Sequence, residues 1–364
     1  MLSTAHIERI GKFMGMQGKM CIPKTQATRP TLLDGFKAKL SSDRMVYSNI
    51  RRINKAGHRE MPKTKEAFQQ ELKKNGLDVF DADRMPKESK EEYAKRLKQA
   101  DFSDVVFSTR VKGIESTRSK ILKQIDKMKN FKQNPDRMDK ETRKAYDDSI
   151  DVINNFLSPQ KTREKYKALV GDTLGLRIGA NVEKKNGEDV SNLVFKSLGN
   201  LDKNTPIKTK SVENYFGEGI TPYTTRTEIE KYFDTSIYAQ TPKKYGYTRV
   251  NADIKVNGTN GEFQYGGKYT SKWGDKEHVL YDKRSNKKLD TSHYTPEQTR
   301  LAKEIRNKYG VLLKDKEKDE KYAMYLKEVW ANARNAEKTG AQFVPPTLPG
   351  EFNQILSAEN ILKL

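Results

Sequence analysis

The sequence predicts an α/β (α+β) fold, a mixed β-sheet flanked by helices, and three local patterns carry that prediction. Leu169–Val182 is an apolar run with Gly175 inside it and reads as a buried strand. Val190–Leu198 has the spacing of a crossover helix behind that strand. Tyr247–Val256 alternates with period two, and Gly258–Gly261 turns it into a second strand, Glu262–Tyr265.

The other elements follow in chain order. Residues 1–60 mix short apolar groups with Gly15, Gly18, Pro23 and Pro30 and read as an irregular arm. Two charged helices, Pro62–Asn75 and Pro86–Gln99, each open on a proline suited to a first helical turn. Val111–Phe131 repeats apolar residues at helical spacing (Ile114, Ile121, Ile125, Met128), and a further helix is expected over Asp139–Phe156. Asn200–Tyr215 is a polar stretch, and its Lys203–Lys210 portion reads as a loop or an acceptor-binding insert. Two helices close the pattern, Pro296–Lys308 and Asp319–Lys338, and a Pro-containing tail, Pro345–Leu364, follows. Tyr322, Tyr325, Leu326 and Trp330 are spaced as the core face of the second of these. The expected domains are a basic extension over 1–100, a catalytic core over 101–290, C-terminal helices over 291–344 and a tail over 345–364.

Composition narrows the function classes. Of 364 residues only 34% are apolar, and the mean hydropathy is −0.91, so the core is expected to be compact beside solvated extensions. Lys and Arg number 70 against 49 Asp and Glu, a net charge of +21 that attracts polyanions. Residues 1–100 hold 22 basic and 12 acidic side chains, about half of that excess, and suit a binding arm or an inhibitory cover. A single cysteine, Cys21, excludes an internal disulfide and a cysteine zinc cluster, and four histidines argue against a His-rich metal site. No run reaches the roughly 20 apolar residues of a membrane span. The start of the chain lacks an apolar signal core, so cytoplasmic action is expected, with delivery from outside left open.

Three islands bear chemistry. Ser108–Lys112, continuing to Ser116 and Lys120, sets cations at a helix start, where a phosphate would bind; alone it reads equally as a solvated basic face. Asp172–Arg177 opens an apolar strand with a carboxylate that could ligate Mg²⁺, or could form a strand-edge ion pair with an arginine. Gly175 marks a place where that strand could bend. Gly246–Asn251 sets Tyr247 beside a glycine, where an exposed ring could stack on a base, and the hairpin brings Glu262 into the sheet centre. Asp172 and Glu262 converging would form a magnesium site for phosphoryl transfer.

Taken together, the islands resemble the synthetase domain of the RelA/SpoT family, the makers of the alarmones (p)ppGpp. Order and spacing recur in Arg110, Lys112, Ser116 and Lys120; in Asp172, Gly175 and Arg177; in Gly246 and Tyr247; in Glu262 and Gln264; and in Trp273, Glu277, His278, Tyr281 and Lys283. The resemblance covers about 180 residues and implies a nucleotidyltransferase-like fold with Mg²⁺-dependent pyrophosphokinase activity. Arg110 and Arg177 would sandwich the adenine of ATP, and Lys112, Ser116 and Lys120 would hold its phosphates. Asp172 and Glu262 would bind Mg²⁺, Glu262 would take the proton of the attacking hydroxyl, and Tyr247 would stack on the acceptor base. Trp273, Glu277 and His278 would be scaffold.

The chain departs from the family on the acceptor side. Arg249 and Asn251 stand where the family has Ser and His, and Gly266–Gly267 where it has Arg-Thr. None of His6, His58, His278 or His293 precedes an aspartate, so synthesis without degradation is expected. Unopposed use of ATP would suit a toxin or effector with an inhibitor or antitoxin protein as partner. The acceptor is expected to be a nucleotide 3′-hydroxyl. The alternatives are the 3′ end of tRNA, which the charge favours, and a non-catalytic basic RNA-binding protein that keeps the fold.

Overall fold

The computed structural model describes residues 44–119, 172–217, 220–233, 238–240, 242–285, 287–291 and 294–364. Its strands are β1 (Val79–Asp81), β2 (Val105–Val111), β3 (Leu174–Ala180), the short pair β4 (Lys184–Lys185) and β5 (Glu188–Asp189), β6 (Ile207–Asn214), β7 (Tyr238–Gln240), β8 (Val250–Val256) and β9 (Thr259–Gly267). Seven of them form one mixed sheet in the order β1-β2-β3-β9-β8-β6-β7. β3 lies parallel to β9 and antiparallel to β2, while β8 and β9 form an antiparallel hairpin. The described residues belong to one compact unit, Asp43–Leu364.

Alternation decides which face is buried. Val105 and Phe107, Leu174, Leu176 and Ile178, Val250, Ala252 and Ile254, and Phe263 and Tyr265 all fall within one apolar cluster. Two helices supply the other half of that cluster, α1 (Arg44–Lys74) and, after α2 (Lys90–Leu97), α3 (Val190–Asn204). Phe68 of α1 stacks on Phe107 (6.0 Å) and Phe263 (5.5 Å), and Phe195 of α3 meets Phe263 and Tyr265 edge-on. Phe68 is fully buried, so Phe68→Ala should cost about 3–5 kcal/mol. Chemical denaturation would measure it, and a loss below 1 kcal/mol would mean that α1 is not part of this core.

α1 differs from the expected arm followed by a helix opening at Pro62, because one helix runs from Arg44 through Pro62 to Lys74. An interior proline costs a helix about 3 kcal/mol or more. Burial of Ile50, Ile53, Met61, Phe68 and Leu72 along the same helix offsets that cost. At Gly57 a Cβ would sit 2.8 Å from Val111 Cγ1, so the glycine lets α1 approach the sheet closely. The boundary read at residue 100 falls between β1 and β2, which pair in parallel.

Three further differences have local causes. Ser108–Val111 lies on β2 and not at a helix start, and the helix begins only at 114, with 114–119 described. The expected helix Asp139–Phe156 lies outside the described residues. The polar stretch Asn200–Tyr215 contains the end of α3 and strand β6, so Lys203–Lys210 is neither loop nor insert. A register shift between Thr209 and Ser211 breaks the period-two pattern of β6. The β8–β9 turn is Asn257–Gly258, with φ of 47° and 80°, and not Gly258–Gly261. Both turn residues need positive φ, as a two-residue hairpin requires.

A second apolar cluster lies beyond the sheet. After the short α4 (Arg226–Glu230) come α5 (Lys268–Arg284), α6 (Pro296–Leu312), α7 (Lys316–Thr339) and α8 (Ala358–Leu362). Trp273, Ile305, Tyr309, Tyr322, Leu326 and Trp330 are buried there together with Phe352, Ile361 and Leu364, so the tail is packed. Tyr322 donates from its hydroxyl to the Leu356 carbonyl (2.8 Å), and the Ala358 amide donates to the Tyr325 hydroxyl (2.7 Å). Among the described residues no helix is long and apolar enough to cross a membrane.

Candidate functional site

The sheet residues that alternate with the core strand positions form a polar face. Across the strands Arg110, Gly175, Glu262 and Asp253 stand side by side. One step along, Ser108, Arg177, Gln264, Asn251 and Glu213 form the next row. A period-two repeat across five strands therefore gathers residues spread over more than 150 positions of sequence.

Arg110 and Arg177 are diagonal neighbours on adjacent strands, a relation that sets Cα atoms about 7–8 Å apart. Gly175 has a clear task between them. A Cβ there would lie 2.8 Å from Arg110 Cγ and 2.9 Å from its Nε, so the missing side chain lets Arg110 cross the strand. The register on both sides of Gly175 is unbroken, so it provides clearance and not the expected bend. The Arg177 guanidinium pairs with Asp275 of α5 and donates from Nε to Gln264 Oε1 at 3.3 Å. Burial first, and then the neighbouring Arg249 charge, pull the Arg177 pKa below its ordinary value, with Asp275 opposing them.

Asp172 precedes β3 in a turn, and its Oδ2 lies 2.6 Å from Lys112 Nζ just past the end of β2. The Lys112 amide donates to the Thr173 carbonyl (2.9 Å), and Asn54 of α1 donates to the Lys112 carbonyl (2.8 Å). Lys112 and Asp172 are thus held at one end of the polar face. Ser116 is exposed in the helical residues 114–119, and Lys120 lies outside the described residues.

Glu262 is held by two amides. Asn251 Nδ2 donates to Oε1 at 3.0 Å and Gln264 Nε2 to Oε2 at 2.9 Å. Tyr247 donates from its hydroxyl to Asn251 Oδ1 at 3.4 Å. Its ring is half-buried and not exposed as expected, because it meets Tyr215 (5.5 Å) and Trp330 (5.5 Å) edge-on. Burial raises its pKa. Gly246, with φ of 80°, is what admits this packing, since a Cβ there would sit 2.6 Å from Lys327 Cα of α7.

The two glycines after Gln264 are explained by their neighbours. The Glu337 carboxylate of α7 occupies the space beside Gly267 and accepts the Thr270 amide (2.6 Å) at the start of α5. Gly266 leaves room for the Arg249 stem, 3.4 Å from where a Cβ would be. Trp273 and Glu277 are buried in the second cluster's layer, where Glu277 pairs with Arg284 (2.5 Å) and Arg284 lies 4.0 Å over the Tyr245 ring. Both belong to the scaffold.

Among the described residues no three His, Cys, Asp or Glu side chains are grouped as a metal centre. Mg²⁺ takes one or two protein carboxylates and completes its shell with water and substrate phosphate, and Asp172 lies three residues before Gly175, the cross-strand partner of Glu262. Sequence reading missed Asp253 and Asp275. Asp253 continues the alternation of Arg249 and Asn251, which could have marked it, whereas only the packing of α5 brings Asp275 to Arg177. No known protein-family model matches the chain, and no curated protein matches it significantly.

Proposed function

We propose that the polar sheet face is the active site of a Mg²⁺-dependent pyrophosphokinase with a nucleotidyltransferase-like fold of the RelA/SpoT synthetase type. The supporting observation is the single cross-strand surface that carries Arg110, Arg177, Glu262 and Gln264, with Lys112 and Asp172 at its end. The acceptor hydroxyl oxygen attacks the β-phosphorus of ATP, the bond from that phosphorus to the α,β-bridging oxygen breaks, and AMP leaves. The diphosphate and the acceptor become joined, and one proton is released.

Each residue has a part in this reaction. Arg110 and Arg177 would take the adenine of ATP between their guanidinium planes. Lys112 and Ser116 meet the phosphates. Glu262 accepts the hydroxyl proton, and Tyr247 borders the acceptor. Asp172 and Glu262 would hold Mg²⁺, which when bound offsets the charge on the phosphates.

The acceptor in this reading is a nucleotide 3′-hydroxyl. A second reading, transfer to a tRNA 3′ end, gains support from Lys208 and Lys255, cross-strand partners on the row beyond Asp253. Like charges set opposite each other are unfavourable unless an anion lies across them. Incubating the protein with γ-labelled ATP and GDP, GTP, ADP, ATP or bulk tRNA separates the two. Label on a free nucleotide supports the first, and label on tRNA alone replaces it with the second. An RNA acceptor should also bind with a log–log salt slope of about −0.7 per phosphate contact.

A further inference from the structure

Glu262 sits at the junction of two hydrogen-bond chains that approach it from opposite sides. On one side, Gln264 Oε1 accepts from Arg177 Nε and from Arg249 Nη1, both at 3.3 Å. A guanidinium has donors only, so the amide oxygen must face the arginines and the amide NH₂ must face the carboxylate. On the other side, Tyr247 donates to Asn251 Oδ1, which turns the Asn251 NH₂ toward the second carboxylate oxygen.

Arg249 is built into this arrangement. Its side chain is 2% exposed and threads between two glycines, passing Gly266 and ending where a Cβ on Gly274 would lie 2.7 Å from Nη2. Nη2 donates to the Ser271 carbonyl (3.1 Å) and lies 3.8 Å from Asp275 Oδ1, the carboxylate that also holds Arg177. Burial of a charge at this depth is costly and is offset only by its ion pair and hydrogen bonds, so these contacts are fixed in place. The group it fixes is the Gln264 amide.

We propose that Asn251 and Arg249 are positioning residues that orient Glu262 through an amide clamp, Asn251 acting directly and Arg249 through Gln264. They occupy two of the positions that depart from the acceptor-side motif, so these two departures form a replacement support for the carboxylate. The clamp's role in turnover rests on the pyrophosphokinase reading, but the clamp itself does not.

The test has two arms. In protein selectively ¹⁵N-labelled at asparagine and glutamine side chains, Glu262→Ala should shift the Asn251 and Gln264 amide signals together. Arg249→Lys, which keeps charge but loses the two-point fork, should shift Gln264 alone. Unmoved signals in Glu262→Ala overturn the clamp. In the activity arm, Asn251→Ala should lower kcat about tenfold to a hundredfold with little change in the KM for ATP. Asn251→Asp, which sets an acceptor oxygen where the donating NH₂ stood, should lose at least as much. Unchanged kcat in both variants, or a loss carried by the KM for ATP, overturns the positioning role. An inactive wild type with both amide shifts present supports the clamp and overturns the pyrophosphokinase reading.

Discussion

Asp172→Asn and Glu262→Gln should each lower diphosphate transfer at least about a hundredfold, because each removes one of two carboxylates available to the metal. The mechanisms of loss differ. Asp172 also holds Lys112 at 2.6 Å, so its amide variant loosens a cation meant for the phosphates. Glu262 accepts two amide N–H groups, and a glutamine there turns one of those contacts into donor against donor. Both side chains lie at the sheet's polar face and not in the apolar cluster, so thermal melts should stay close to wild type. Added magnesium should restore part of the Asp172→Asn activity and little of the Glu262→Gln activity. Near-normal turnover in either variant removes these residues from the site.

Gly246→Ala should destabilise the protein by about 2–5 kcal/mol, through a loop that also carries Tyr247 and Arg249 of the proposed site. Two costs combine at this residue. An alanine must adopt φ of 80°, in the left-handed region, and its methyl would meet Lys327 Cα at 2.6 Å, an atom of helix backbone that cannot swing aside. Relief requires the 242–249 loop to lift from α7, which would carry Tyr247 off Trp330 and Arg249 out of its slot. Urea denaturation measures the first effect. A destabilisation below 0.5 kcal/mol would contradict the packing of this loop on α7.

Much of the fold is visible in sequence where burial imposes one period. β3, β8 and β9 bury every second residue on one side, and the crossover helix α3 follows at helical spacing. Legibility fails where two periods meet or one is interrupted. β2 runs within two residues into a helix that begins at Ile114, so Val111 reads as the start of that helix, and the bulge in β6 shifts the alternation halfway along. Pro62 looked like a start signal, and only the stacking of Phe68 on the sheet shows why the helix continues through it.

The site divides in the same way. Arg177, Glu262 and Gln264 read as strand residues and lie on adjacent strands, whereas Arg110, expected at a helix start, lies on β2 beside them. Asp275 is not legible, since its place beside Arg177 depends on how α5 packs on β3. Nor is the burial of Tyr247, which comes from Trp330, more than 80 residues later. Side chains supplied by tertiary packing leave no local pattern to read.

The most direct measurement follows the two ends of ATP in one reaction. Parallel incubations with α-labelled and γ-labelled ATP and the acceptor panel should yield AMP in equal amount to modified acceptor. With every acceptor except ATP itself, the γ label should appear on the acceptor, and the α label only in AMP. Release of ADP with a single labelled phosphate transferred, or AMP joined to the acceptor, would contradict diphosphate transfer by this site.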